Sequence, residues 1–101
     1  MSHLIQDNTE KLRFEIQQND DIAYMEYRFY KESIAFMHTV VPKAMENKGI
    51  GSALVIYAFQ YAKSLNKRVM VYCPFVRSYI KKHPEYNSQL DTDFHKSSFE
   101  T

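Results

Sequence analysis

The sequence predicts an α/β domain of the α+β kind: a mixed, mostly antiparallel sheet that carries one long helix and one short helix. Three observations lead there. Between positions 12 and 41, three successive runs alternate apolar and polar residues and are separated by short turn sequences, the pattern of antiparallel strands. From 50 to 65 apolar residues recur at helical spacing, and a short apolar run at 69–73 follows. A strand, helix, strand order with so short a crossover joins a parallel pair.

Residues 1–10 are polar and without period, so a loose terminus is expected before Lys11. Leu12, Phe14 and Ile16 alternate with Arg13, Glu15 and Gln17 in a half-buried first strand, and Asn19-Asp20-Asp21 turns the chain. Ala23, Met25, Tyr27 and Phe29 alternate with Tyr24, Glu26, Arg28 and Tyr30 in a second strand, which Lys31-Glu32 closes into a hairpin. In the third, the alternation assigns Ile34, Phe36, His38 and Val40 to one face and Ala35, Met37, Thr39 and Val41 to the other. Both faces are apolar, as for a strand inside a sheet, and Pro42 ends it. In the helix Ile50, Ala53, Leu54, Tyr57, Ala58, Tyr61, Ala62 and Leu65 recur at helical spacing and Val55, Ile56 and Phe59 widen the apolar surface, with Asn66 as a left-handed C-terminal cap. The strand at 69–73 stops at Pro74, and Phe75, Val76, Tyr79 and Ile80 give a short helix ended by His83-Pro84. The domain is thus expected to span 11–86, with a polar tail, 87–101, mobile or weakly docked.

With 101 residues the chain is long enough for one core, and 45% hydrophobic with 25% charged residues is the composition of a folded globular domain. A formal net charge of +1 gives no long-range field for nucleic acid. Cations nevertheless gather in the second half, at Lys48, Lys63, Lys67, Arg68, Arg77, Lys81 and Lys82, which suits a small polyanion. The single cysteine excludes an internal disulfide and fits a reducing compartment. No leader-like N-terminus and no run of 18 apolar residues is present, so a cytoplasmic protein without membrane partner is expected. Both glycines of the chain fall in Glu46-Asn47-Lys48-Gly49-Ile50-Gly51, between strand and helix. Glycine lets backbone approach a ligand, and a helix N-terminus offers unpaired N–H groups to a phosphate.

That loop, with the elements around it, resembles the GNAT superfamily of acetyl-coenzyme A-dependent N-acetyltransferases. The superfamily pattern, Gln or Arg, two residues, Gly, one residue, Gly or Ala, is met except at Glu46. The segment from Ser78-Tyr79 to Glu85-Tyr86 looks like the superfamily's later aromatic-Tyr segment, with His83-Pro84 where a glycine would fall. His38-Thr39, Val41-Pro42, Cys73-Pro74-Phe75-Val76 and His83-Pro84-Glu85-Tyr86 are similar to small single-domain GNAT-like proteins, over about 13–86. The resemblance implies that acetyl-coenzyme A lies where the third and fourth strands splay, its pantetheine along Thr39, Val40 and Val41. Its pyrophosphate would sit at Asn47, Lys48, Gly49, Ile50, Gly51 and Ser52. Helices between the first two strands and strands after the second helix, which commonly form the acceptor side in the superfamily, are missing here, so the acceptor amine and the oligomeric state are not carried over.

Three side chains are candidates for chemistry. The resemblance makes Tyr79 the general acid on the leaving sulfur; the plain alternative is an amphipathic core aromatic. Cys73 is either an inert strand-end thiol or an acetyl relay, with His38 and His83 as possible neighbours. His38 is either a lining histidine or a general base toward the amine. His3 and His95 fall in the expected loose ends, no spacing of His, Cys and acid makes a metal site, and of Tyr57, Tyr61, Tyr72 and Tyr79 in the basic second half helical spacing assigns most to the core rather than to stacking nucleobases. The leading expectation is acetyl transfer to an amine; the alternative is a coenzyme A-binding or acyl-sensing module without turnover.

Overall fold

The computed structural model describes residues 4–94. Five strands form one sheet in chain order: β1 (Gln6–Asn8), β2 (Arg13–Gln18), β3 (Asp21–Tyr30), β4 (Ser33–Val40) and β5 (Arg68–Val71). The first four pair antiparallel, and β5 runs parallel to β4. Helix α1 (Ile50–Ser64) makes the crossover, α2 (Pro74–Lys82) follows β5, and 3-10 turns lie at Lys43–Met45 and Pro84–Gln89. This is the predicted mixed sheet with one long and one short helix.

The β2–β3 and β3–β4 hairpins use two-residue loops, since Gln18 pairs with Asp21 and Tyr30 with Ser33. The first loop residue of each, Asn19 and Lys31, takes a positive φ, as tight turns between twisted strands require. The α1 residues Ile50, Leu54, Val55, Ala58, Phe59 and Ala62 are buried against Phe14, Ile16, Ala23, Met25, Tyr27, Ile34 and Phe36 of the sheet. Alanines at 58 and 62 let the helix come close to the strands. Lys67 N–H donates to Ala62 C=O and Asn66 N–H to Lys63 C=O, with Asn66 left-handed, which is a Schellman ending at the expected cap.

Two expected boundaries move. The N-terminal segment is not loose throughout: Gln6–Asn8 pairs with Arg13, Phe14 and Glu15, and the Tyr27 hydroxyl donates to Asp7 Oδ1 at 2.6 Å. A three-residue strand carries no periodicity to read, and what holds it is a buried phenol twenty residues away. The tail does not begin at 87 either. Leu90 is buried and bridges Val69, Asp91 N–H donates to Val69 C=O, and Ser33 Oγ donates to Asp91 Oδ2 at 2.6 Å. The expectation of mobility for residues 95–101, and the placement of His3 and His95, lie outside the described residues.

A third difference bears on the site. Glu26 pairs with His38 and Tyr27 with Phe36, so Met37 is an extra residue in β4, a β-bulge. One inserted residue reverses which side chains face which way beyond it. Ile34 and Phe36 are buried toward α1, but His38 and Val40 are exposed on the opposite face, while Thr39 and Val41 turn inward. The strict alternation expected for this strand therefore fails at His38, Val40, Thr39 and Val41.

Candidate functional site

The β4–β5 ladder ends at the Phe36–Val71 pair, where the Phe36 carbonyl accepts from both Tyr72 N–H and Cys73 N–H. Past that point the bulged end of β4, from Met37 to Val40, has no strand partner on its β5 side among the described residues. The sheet is split there. On the α1 side the split opens into a cleft of about 500 Å³ lined by Thr39, Val41, Met45, Glu46, Asn47, Gly49, Ile50, Gly51, Ser52 and Phe75.

The floor of this cleft is the start of α1. Gly49 is the helix N-cap with φ +74°, and its carbonyl accepts the first helical bond, from Ala53 N–H. No side chain caps the helix and no acid stands in its first turn, so the N–H groups there face the cleft with the positive end of the helix dipole behind them. A Cβ on Gly49 would meet nothing within 4 Å, so the approach is open. Gly51 is different: a Cβ there would lie 2.7 Å from Phe75 Cζ. Its lack of a side chain makes room for an aromatic ring from α2.

Seven of the nine expected cofactor positions, Thr39, Val41, Asn47, Gly49, Ile50, Gly51 and Ser52, line this one cleft. Lys48 is exposed beside it, and Val40 turns to the far face because of the bulge. Three further lining residues are not among the expected positions: Met45, the buried anchor of the 3-10 turn, Glu46 and Phe75. Phe75 has a signal in the sequence: Val76 and Ile80 already supply the buried stripe of α2, leaving the ring on another face, 42% exposed.

Cys73 is buried, with Sγ 3.3 Å from Thr39 Oγ1 across the split. Neither histidine is placed as its base. His38 Nε2 lies 3.6 Å from Glu26 Oε2 on the far face, and His83 stacks on Tyr79 with Nδ1 3.8 Å from Glu85 Oε2. Tyr79 stands one helical turn after Phe75 on the same stripe of α2, beyond the residues that line the cleft. Burial, then Tyr86 and Glu85, push its hydroxyl up, so it stays protonated at neutral pH and is able to donate. Tyr57, Tyr61 and Tyr79 pack on the core as expected, but Tyr72 is largely exposed. Among the described residues no three His, Cys, Asp or Glu side chains converge on a metal position, and no helix is long and apolar enough to cross a membrane.

A split between parallel strands, opening on an uncapped helix N-terminus, defines a GNAT-like fold. Residues 13–90 match the profile of the family described as GCN5-related N-acetyl-transferase, and the chain belongs to that family. In fold it is similar to a GCN5-like protein from Staphylococcus aureus whose solution structure was determined by NMR, with a TM-score of 0.70 and 23% identity over 90% of this chain and 91% of that one. GNAT acetyltransferases use acetyl-coenzyme A as a substrate.

Proposed function

We propose that this chain binds acetyl-coenzyme A in the cleft between Thr39, Gly49 and Phe75 and transfers its acetyl group to an amine. The observation that carries the reading is the uncapped N-terminus of α1, with Gly49 open to approach, beside a β4 edge that has no strand partner. The N–H groups of Ile50, Gly51 and Ser52 hold the pyrophosphate, aided by Lys48. The unpaired edge at Thr39 to Val41 hydrogen-bonds the amide groups of the pantetheine arm and supplies a donor to the carbonyl oxygen as it gains charge. The neutral amine nitrogen bonds to the acetyl carbon as the carbon–sulfur bond breaks, Tyr79 donates its proton to the departing sulfur, and the proton that the nitrogen then sheds returns through water to the Tyr79 oxygen. Cys73, in contact with Thr39 and without a histidine placed as its base, is structural in this scheme. Glu46 lines the cleft, where its carboxylate would oppose any phosphate it faced. A single thiol without a disulfide partner suits a cytoplasmic setting.

One observation favours a second reading, a coenzyme A-binding module without turnover: Tyr79 is held against His83 and Tyr86 rather than lining the cleft. One experiment tests both. Acetyl-coenzyme A at 100 times its dissociation constant should stabilise the fold by about 2.7 kcal/mol, and coenzyme A thiol should be released when amines are added. Stabilisation without thiol release across an amine panel selects the binding module; neither effect at millimolar ligand refutes both.

A further inference from the structure

The bulge at Met37 decides which side chain of β4 enters the cleft. Strict alternation after Phe36 would send His38 inward; the inserted residue instead turns His38 to the far face, beside Glu26, and brings Thr39 into the lining. An imidazole is thereby exchanged for a hydroxyl. Across the split stands Cys73, 1% exposed, with Sγ 3.3 Å from Thr39 Oγ1. Neither side chain has another hydrogen-bond partner among the described residues. A hydroxyl and a thiol that meet share one hydrogen bond, so one of their two protons is left over. Oxygen is the better acceptor and sulfur the weaker. The buried thiol has nowhere else to aim its proton, whereas Thr39 borders open space. The S–H therefore fills the contact, and the hydroxyl proton of Thr39 is free to point into the cleft. Branching at Cβ restricts the Thr39 side chain and holds the hydroxyl in that place.

We infer that Thr39 is a catalytic residue whose hydroxyl donates to the thioester oxygen of bound acetyl-coenzyme A, and that Cys73 is the positioning residue that aims it. The inference rests on the proposed acetyl transfer and adds a side-chain donor to the backbone donor of the β4 edge. As the amine nitrogen bonds to the acetyl carbon, electron density moves onto the carbonyl oxygen, and the hydrogen bond from Thr39 strengthens against that charge. The density returns as the carbon–sulfur bond breaks and its electron pair leaves with sulfur. Thr39 keeps its proton throughout, and Cys73 forms no bond to the acetyl group. The second helix supports the same charge. It starts at Cys73, carries no acidic residue in its first turn and has no side-chain cap, so its positive end lies at the split.

The test reads the thioester carbonyl by infrared difference spectroscopy, with acetyl-coenzyme A isotopically labelled at the carbonyl carbon and the full chain in excess. Binding should move the carbonyl band to lower frequency. Thr39→Val, which matches the shape and removes the donor, should lose part of that shift, and Thr39→Ser should keep it. Cys73→Ala should broaden the band, because the hydroxyl is no longer aimed, and Cys73→Ser should restore it. The paired affinity measurement uses S-ethyl-coenzyme A, a thioether without the oxygen. The native chain should bind acetyl-coenzyme A about fivefold tighter than this analogue, and Thr39→Val should lose most of that preference while binding free coenzyme A as before. Amine acetylation should fall by about 10²-fold in Thr39→Val. No binding of acetyl-coenzyme A at millimolar concentration would overturn the transfer reading and this assignment together. Binding with an unchanged band in Thr39→Val, or equal affinity of the native chain for the thioester and the thioether, would overturn the Thr39 assignment alone. A Cys73→Ala band as sharp as the native one would remove Cys73 from the positioning role.

Discussion

Gly51 and Phe75 should be energetically coupled, and the coupling can be measured apart from any activity. Gly51 lies in the first turn of α1, where alanine is ordinarily favoured over glycine by about 0.5–1 kcal/mol. A Cβ there would meet Phe75 Cζ at 2.7 Å and Cε2 at 3.0 Å, so the ring has to shift. Because that ring is 42% exposed, it can move at modest cost, and the helix gain should be roughly cancelled rather than overwhelmed. Gly51→Ala alone is therefore expected near neutral. On a Phe75→Ala background the same change should stabilise by about 0.5–1 kcal/mol, which in a chain of this length raises the melting temperature by about 2–8 °C. Urea titration of the four proteins gives the cycle. Additivity within about 0.3 kcal/mol would refute the contact. Gly49→Ala provides the contrast: with φ +74° and nothing within 4 Å, it should cost about 1–2 kcal/mol equally on both backgrounds.

Four further outcomes are expected. Tyr79→Phe should lower amine acetylation by about 10²-fold while acetyl-coenzyme A affinity stays nearly unchanged; equal turnover in steady-state assays would remove Tyr79 from the chemistry. Cys73→Ala should keep most acetyl-coenzyme A affinity and part of the acetylation, and mass spectrometry after incubation with acetyl-coenzyme A alone should show little acetyl-Cys73; stoichiometric acetylation there, with transfer lost in the alanine variant, would establish a thiol relay. Burial and then Asp7 raise the Tyr27 hydroxyl far above its usual value, and burial also raises Tyr61 and Tyr79. The folded state thus holds these protons more tightly than the unfolded chain, so their stabilisation is complete below a pH of about 10 and is lost as pH rises past it. Urea midpoints that do not fall as pH is raised through about 10 to 11 would contradict this, and Tyr27→Phe should cost about 1.5–3 kcal/mol at neutral pH through the lost bond to Asp7.

The strands β2 to β4 and α1 are legible in the sequence because each is long enough to show its period and ends in punctuation, at Asn19-Asp20, Lys31-Glu32, Pro42 and Asn66, and β5 because a short apolar run stands before Pro74. The glycine loop is legible because only two glycines exist and both fall at a strand-to-helix junction. What stays hidden is non-local. Nothing near Met37 in sequence marks a bulge, which arises from pairing with Glu26 and Tyr27 and turns His38 and Val40 outward. β1 depends on Tyr27 reaching Asp7, and the docking of Leu90 on an edge that only the folded sheet creates. In the sequence Gly51 reads as serving a phosphate, but its nearest claim on the space is Phe75, a relation between two helices.

The bridge between Val69 and Leu90, with the bond from Asp91 N–H to the Val69 carbonyl, has a consequence for how this protein survives at high concentration. β5 is an outer strand of the sheet, and after Arg68 its run Val69-Met70-Val71 is short and apolar, the kind of edge on which another chain can template itself. Leu90 and Asp91 occupy that edge intramolecularly. A chain shortened before Leu90 would keep every residue lining the cleft, yet present Val69 with its carbonyl unpaired, and it should self-associate more readily than the full chain. Leu90 and Asp91 are thus a guard against edge-to-edge polymerisation, and a protein trimmed of them as if they were a dispensable tail would be one that aggregates.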